Sequence, residues 1–549
     1  MRAYFDWTPL GFHAQVIGAN GTWYVDPYSQ GESYVSYYKK DYHSRKKQFA
    51  CSVEQHIDTS AFFGRVEYAS SSGETLRTFR LAVATTGEYA QFHGGSMQSV
   101  LAAVVTTINR VTGIYEKELR VRLSLVGNND SIIFLNPDTD PFSGNNHSST
   151  LIDESQNVLD SYIGEANYDI GHTFSTGTGG RGVVGSICQS DRKGKGTSGI
   201  AAPVGDPYAV DYVAHEIGHQ LGAYHTFNGK EGSCQTNIAS SAYEPGSGST
   251  IMSYAGICGD DNLQEHADPI FHSVSYDQIM SYISEGFGST CGSTGRVDNT
   301  APVVNAGNDY IIPAGTPFVL TGSATDDDGD PLTYRWEERD LGLWQASLSE
   351  GDDGFSPLFR TYPSVFTGQR YFPSEQTLID KNAVIKGEQL PTYKGRTMNF
   401  RLTAQDSWGG RSADDMKVLV DSVSDPFAVT FPNGDNRFAP GSKLTVTWDV
   451  AGTVNSPISA TTVDIYLAVD YSKEDEDAWE RGLHWGTPLR ENTSNDGSES
   501  LTLPEIETER ARIIIKASNN IFFDISDHDF SIQPPAFLPS IYSLLLDGD

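Results

Sequence analysis

The stretch that decides the fold is Asp211-Tyr212-Val213-Ala214-His215-Glu216-Ile217-Gly218-His219-Gln220-Leu221-Gly222-Ala223-Tyr224-His225. His215 and His219 are four residues apart. On a helix both imidazoles then stand on one side, about a turn apart, where they can grip a single ion. Glu216 follows the first of them and is placed to reach a metal-bound water without binding the metal. Gly222 can take a positive φ, which ends the helix and turns the chain sharply. That turn brings His225 round as a third nitrogen. Three neutral imidazoles leave a coordination position open for water, as a catalytic zinc requires. Tyr212, Val213, Ile217 and Leu221 form the apolar stripe that anchors the helix. The His-Glu-x-x-His pair alone would also fit two core histidines. The glycine and the third histidine at these spacings weigh heavily against that reading.

With these residues on the page, the sequence resembles the metzincin zinc peptidases, whose signature is His-Glu-x-x-His-x-x-Gly-x-x-His followed by a Met-turn. The Met-turn match is Thr250-Ile251-Met252-Ser253-Tyr254, which begins 25 residues after His225. The resemblance assigns Met252 to the hydrophobic floor beneath the three histidines. The layout is most similar to the adamalysin/reprolysin-like branch in its secreted microbial form, with a leading propeptide and trailing β domains. Gly205-Asp206-Pro207 and Tyr168-Asp169-Ile170-Gly171-His172 are similar to that group, and the likeness covers roughly residues 76 to 292. Two positions depart from it. Thr226 stands where many adamalysins carry Asp after the third histidine. Tyr254 looks like the astacin and serralysin arrangement, in which a tyrosine contacts zinc or the developing oxyanion; a structural hydroxyl is the competing role.

The resemblance implies a mechanism and a set of contacts. Zinc activates a water and polarises the scissile carbonyl. Glu216 moves the proton, and Tyr254 stabilises the oxyanion. Gly182-Val183-Val184-Gly185-Ser186-Ile187-Cys188 resembles the edge strand over the cleft, so Gly182, Val183, Val184 and Gly185 are expected to pair with an extended peptide. Adamalysin pairing implies the disulfides Cys188–Cys291 and Cys234–Cys258; from sequence alone four cysteines permit three pairings. Disulfides imply an oxidising, extracytoplasmic setting. A second metal site built from these thiols is disfavoured, since no Cys-x-x-Cys occurs. Residues 1–72 resemble a reprolysin-type propeptide. Cys51 is then a candidate zymogen switch whose thiolate fills the open zinc position. Phe49-Ala50-Cys51-Ser52 matches no well-known switch motif, and a buried or free thiol is the alternative.

Outward from the motif, the 549 residues suggest three or four domains at roughly 150 residues each. Hydrophobic residues are 38% and charged residues 20%, a globular composition rather than a disordered one. Lys and Arg number 38 against 71 Asp and Glu, a formal charge of −33. That argues against a nucleic-acid phosphate ligand, which needs a basic face, and against docking on anionic lipid. It favours solubility, in salty surroundings or with calcium bound. No apolar run reaches the roughly 18 residues of a membrane span. Met1-Arg2-Ala3-Tyr4-Phe5-Asp6 lacks the apolar core of a signal peptide, so an exported form is expected to have lost its leader or to have its true start elsewhere. The basic stretch from Lys39 to Lys47 reads as an exposed loop or as a segment docked on the acidic chain.

Leu76–Thr86 alternates as a strand. Leu101, Val104, Val105, Ile108 and Val111 make one helix face, and Val121, Leu123 and Leu125 a second strand. A helix is expected over 153–163, a strand over 168–174, and a capping box at Ser275-Tyr276-Asp277-Gln278 opening a helix toward Ile283. Strands alternating with helices give an α/β layer. After the linker 292–302 the helical period stops. Phe318-Val319-Leu320, Leu332–Trp336 and Phe400–Thr403, then Leu444–Trp448, Val463–Leu467 and Ala511–Ile515, are short alternating strands. The fold class is therefore multidomain: an α/β metzincin catalytic domain followed by two all-β Ig-like sandwiches. The expected segments are a propeptide-like 1–72, a peptidase domain 75–292, a PKD/cadherin-like sandwich 302–423 with an insertion over 351–391, an Ig-like sandwich 424–533, and a tail 534–549. Asp326-Asp327-Asp328-Gly329-Asp330 offers hard oxygen ligands for calcium, or is a solvated hairpin turn.

The expected function is that of a secreted zinc endopeptidase acting on protein or peptide substrates, with β domains that bind a cell surface, glycan or protein. The rivals are a non-catalytic adhesion or carbohydrate-binding protein, and a metal-dependent amidase with a closed pocket. A dead scaffold would tolerate loss of Glu216 or of a histidine, and none is lost.

Overall fold

The computed structural model describes residues 2–18, 21–29, 33–42, 51, 71–177, 179–236, 240–380, 385–469 and 486–534. These fall into two compact units. The first holds residues 1–308, 321–368 and 398–416, and the second 309–320, 369–397 and 417–549.

The centre of the first unit is a twisted mixed sheet. Its order is Ser293–Arg296, Thr75–Thr85, Ile170–Ser175, Gly196–Gly199, Gly179–Gly182, and Val121–Leu125 also pairs with Thr75–Thr85. The three pairings among Val121–Leu125, Thr75–Thr85, Ile170–Ser175 and Gly196–Gly199 are parallel, while both outermost strands run antiparallel to their neighbours. Alternation along Thr75–Thr85 sorts the two faces. Phe79, Leu81 and Val83 join the core with Val104, Ile108, Val111 and Ile114 of the helix Met97–Leu119 and with Ile217, Leu221 and Met252. Ala82 and Ala84 face the other way, onto Leu151, Val158 and Leu159 of the helix Ser148–Tyr162. Both faces are covered, as parallel sheets require.

The helix Ser148–Tyr162 starts five residues before the expected 153. Ser148, Ser149 and Thr150 read as loop, yet they occupy the first turn. The Glu154 carboxylate reaches back from the next turn to the amides of Ser143 and Gly144. The late helix begins at Ser273, two residues ahead of the expected capping box, because the ring of His272 accepts from the Val274 amide. The strand expected over 168–174 runs Ile170–Ser175.

The strands Arg2–Thr8, Gly11–Gly18, Gly21–Ser29 and Ser33–Tyr38 form a four-stranded antiparallel sheet in chain order. Its inner face lies on the helix Met97–Leu119, where a side chain at Gly113 would meet the ring of Tyr4 at 2.6 Å. Asp6 accepts from Thr106 at 2.9 Å, and Asp26 pairs with Arg110. Of the basic stretch, Lys39 is docked, its ammonium paired with buried Asp206, which also takes the Tyr24 hydroxyl. Residues 43–47 lie outside the described residues.

Beyond the linker the elements are almost all strands, and the chain is a multidomain protein with β-sheets in its C-terminal half. In the first unit Thr333–Glu338 pairs antiparallel with Thr397–Gln405, setting Trp336 opposite Leu402. These strands bring buried charge to the α/β layer. Arg335 lies 3.1 Å from Glu118, and Arg339 and Arg401 lie 2.8 and 3.0 Å from Asp277. The second unit carries a three-stranded sheet, Ala428–Phe431, Lys443–Asp449 and Ser498–Thr502, and a six-stranded sheet built on Thr462–Val469 and Thr508–Ala517. Val319, Tyr371, Leu378, Ile514, Phe523 and Ile525 form one of its apolar clusters. The expected insertion 351–391 is not featureless: it contains the strand Gln369–Phe372 and the short helix Glu375–Ile379. Residues 535–549 of the expected tail lie outside the described residues.

Candidate active site

The helix carrying the histidines is entered at Gly205, with φ at +77°, and runs through a π-helical segment, Tyr208–Ala214, into the α-helix His215–Gln220. A π segment widens the turn and is common beside functional residues. The Tyr115 hydroxyl donates to the carbonyl of Ala214 at 2.7 Å, at the junction. The helix ends where the sequence places its stop. Gly222 sits at φ +105°, and a β-carbon there would also meet the Tyr282 side chain at 3.0 Å.

This turn brings His215, His219 and His225 together, all buried. Their Nε2 atoms are 3.1, 3.1 and 3.0 Å apart. His215 Nδ1 lies 2.7 Å from the carbonyl of Ile251, and His219 Nδ1 lies 2.7 Å from that of Ala223. A carbonyl can only accept, so Nδ1 of both rings carries the proton and Nε2 presents a lone pair. Burial pushes His219 and His225 well below the ordinary histidine range, and the neighbouring rings push them further. Neutral rings with lone pairs aimed at one point repel unless a cation sits between them. A tetrahedral ion with nitrogens at about 2.0 Å sets edges of about 3.3 Å, close to those observed. The residues present therefore fit zinc.

Met252 is fully buried beneath this group. A β-carbon on Gly218, inside the histidine motif, would come within 2.5 Å of its sulfur, so that glycine is what lets the methionine lie against the helix. Glu216 is fully buried, and neither carboxylate oxygen has a hydrogen bond of standard geometry among the described residues. Burial lifts its carboxyl to about 8, with the Cys51 thiol, the Arg181 charge and the Gly182 amide pulling the other way. A buried carboxyl beside three converging imidazoles is placed to exchange a proton with a group bound there.

The strand above the helix differs from the sequence expectation. Regular pairing covers Gly179–Gly182, at the sheet edge, and ends where the expected strand was to begin. Of the four expected peptide-contacting residues only Gly182 lies in it. Val183 still donates to the carbonyl of Lys195, but Val184 lies past the pairing and Gly185 turns at φ +64°, its amide bonded to the carbonyl of His219. The reason is steric. A β-carbon on Gly180 would fall 2.2 Å from Glu216 Oε1, and one on Gly182 would fall 2.5 Å from the carbonyl oxygen of Glu216. Only glycines fit this close to the helix, and Thr176-Gly177-Thr178-Gly179-Gly180-Arg181-Gly182 reads as a loop for the same reason.

Cys51 arrives from the N-terminal segment. It makes an isolated parallel bridge with Gly180, and its Sγ lies 3.8 Å from His219 Nε2. The sulfur and three imidazole nitrogens all lie within 4.8 Å of one another. Burial, with Glu216 nearby, raises the Cys51 thiol well above its usual range. Tyr254 stacks on Phe227 at 4.3 Å, lies 4.4 Å from the His225 ring, and donates its hydroxyl to the Cys51 carbonyl at 3.1 Å. Burial likewise raises its phenol. Two disulfides, Cys188–Cys291 and Cys234–Cys258, tie the layer and the loop before the Met-turn, and Cys51 is a free thiol. In the acidic hairpin, carboxylates of Asp326, Asp328 and Asp330 approach within 4.8 Å, without Asp327. Asp328 takes the amide and hydroxyl of Thr300, and Asp326 takes amides of its own turn. Sequence reasoning missed Gly180 and also Glu244, a buried carboxylate 19 residues past His225 in the chain.

Residues 75–290 match the family described as metallo-peptidase family M12B, reprolysin-like. This segment belongs to that family: it is a reprolysin-like metzincin domain, and its family is one of zinc-dependent peptidases. A search of curated proteins returns no match. Among solved structures, the tandem Ig repeats of Dlar are similar at 11% identity over 43% of this chain and 98% of that one, with a TM-score of 0.22. The FN1–FN3 domains of chicken CNTN1 are similar at 13% identity over 44% of this chain and 65% of that one, with a TM-score of 0.17.

Proposed function

We propose that this protein is a secreted zinc endopeptidase that cleaves extended protein segments. The observation that carries the reading is the convergence of three Nε2 atoms beside the buried carboxyl of Glu216. Zinc held by His215, His219 and His225 would supply an electrophile for the scissile carbonyl and acidify the attacking water. Glu216 takes the proton from the attacking water and hands it to the leaving amine. Tyr254, freed from the Cys51 carbonyl, donates to the developing oxyanion. The edge strand Gly179–Gly182 offers its backbone to an extended peptide along the line that Cys51 now occupies at Gly180, so recognition tolerates many sequences.

Residues 1–72 act as the propeptide, with Cys51 as the fourth ligand until that segment leaves. The disulfides support an extracytoplasmic setting, and no described helix is long and apolar enough to cross a membrane. The domain division 75–292, 302–423 and 424–533, calcium at Asp326, Asp328 and Asp330, and surface, glycan or protein binding by the β domains belong to the same proposal.

The test is casein hydrolysis in a Cys51→Ser background, which removes the thiol. Chelation should abolish activity, and Glu216→Gln should lower it by about 100- to 10,000-fold. Activity that survives in the glutamine variant would remove the mechanism, and a Cys51→Ser parent that hydrolyses nothing would favour the adhesion reading.

A further inference from the structure

Glu244 lies at the surface of neither the protein nor the cleft: it is 1% exposed, and its carboxylate gathers five donors. Oε2 accepts from the hydroxyls of Thr226 and Thr250, each at 2.5 Å. Oε1 accepts from the amides of Ser249 and Thr250 at 2.9 and 3.2 Å and from the Ser249 hydroxyl at 3.4 Å. The backbone tightens the same join. The Glu244 amide donates to the Thr226 carbonyl at 2.8 Å, and the Thr226 amide donates to the Met252 carbonyl at 3.1 Å.

Both ends of this clamp adjoin metal-ligating histidines. Thr226 follows His225 directly. Thr250 precedes Ile251, whose carbonyl takes the Nδ1 proton of His215. One buried carboxylate thus ties the chain carrying the third histidine to the carbonyl that orients the first. Five donors converging on one buried carboxylate hold the two segments together. Outer partners of this kind hold a ligand ring in its productive orientation.

We infer that Glu244 is a positioning residue for the metal site, supplying the carboxylate that joins the segment after His225 to the Met-turn. This inference rests on the zinc reading above. It is tested by zinc affinity, from competition with a chromogenic chelator, and by the visible absorption of the cobalt-substituted protein, both on the full chain in a Cys51→Ser background. Glu244→Gln should weaken zinc by about 10- to 100-fold and shift the cobalt bands, with the far-ultraviolet circular dichroism retained. A folded Glu244→Gln protein with unchanged affinity and unchanged cobalt bands would overturn the inference while leaving the zinc reading intact. A parent chain that binds no zinc would overturn both. If Glu244→Gln does not fold, the Thr226 pair decides: Thr226→Ser should keep the affinity of the parent and Thr226→Val should lose it, and equal affinities would overturn the clamp.

Discussion

Cys51 touches two of the proposed catalytic groups at once. Its sulfur lies 3.8 Å from His219 Nε2 and its carbonyl takes the Tyr254 hydroxyl, so in the proposed mechanism one residue would cover both the metal and the oxyanion donor. Replacing the thiol with a hydroxyl leaves a much weaker ligand for zinc. Cys51→Ser in the full chain is therefore expected to raise initial caseinolysis by at least about tenfold, and to remove stimulation by thiol-binding mercurials. An unprocessed parent as active as the variant would count against a switch. Within the residues themselves, the three histidines and Glu216 were legible because the helix period and one glycine set their geometry locally, inside 211–225. Cys51 was legible as a candidate switch through the propeptide resemblance, against the alternative of a buried or free thiol. What places it is a long-range bridge to Gly180 that no local pattern announces.

The edge strand works at the scale of the element. Glycine is poorly suited to a strand by propensity, yet Gly180 and Gly182 sit in one because the helix beneath leaves no room for a side chain at either position. Gly180→Val should push the Glu216 carboxylate from its place. Caseinolysis in the Cys51→Ser background is expected to fall by about 100-fold or more, with bound zinc and thermal midpoint nearly unchanged. A valine variant with parental activity would show that the strand does not set the position of Glu216. The same competition between local pattern and tertiary packing explains the displaced helix starts. The capping box at Ser275 was a sound local signal, but the His272 ring reached the Val274 amide first. The π segment Tyr208–Ala214 left no mark in the apolar periodicity, since all its residues are buried.

At the scale of the whole molecule, the alternation of strands and helices and its replacement by strands after 302 were readable from period alone. The ionic seam in the first unit was not, because its partners lie far apart in the chain. Glu118 meets Arg335 at 3.1 Å across 217 residues, with Lys117 at 3.0 Å and Arg411 at 3.8 Å. Burial works to raise the Glu118 carboxyl, but the three cations outweigh it and hold it at about 2. Unfolded, the group titrates near 4.3. A folded value below the unfolded one gives stability that is complete above that range and is lost as pH falls toward 2, on the order of 3 kcal/mol. Urea midpoints should therefore drop between about pH 5 and 2, and Glu118→Gln should lower stability at neutral pH while flattening that acid limb. An unchanged acid slope in the variant would place the sensitivity elsewhere among the carboxylates.

The central claim is that three imidazoles share one ion. Its most direct measurement is the zinc content of the purified full chain by plasma mass spectrometry, beside His219→Ala. One zinc per chain in the parent, with the site lost in the variant, is the expected result. A folded parent that takes up no zinc, or a His219→Ala protein that keeps a full equivalent, would contradict it.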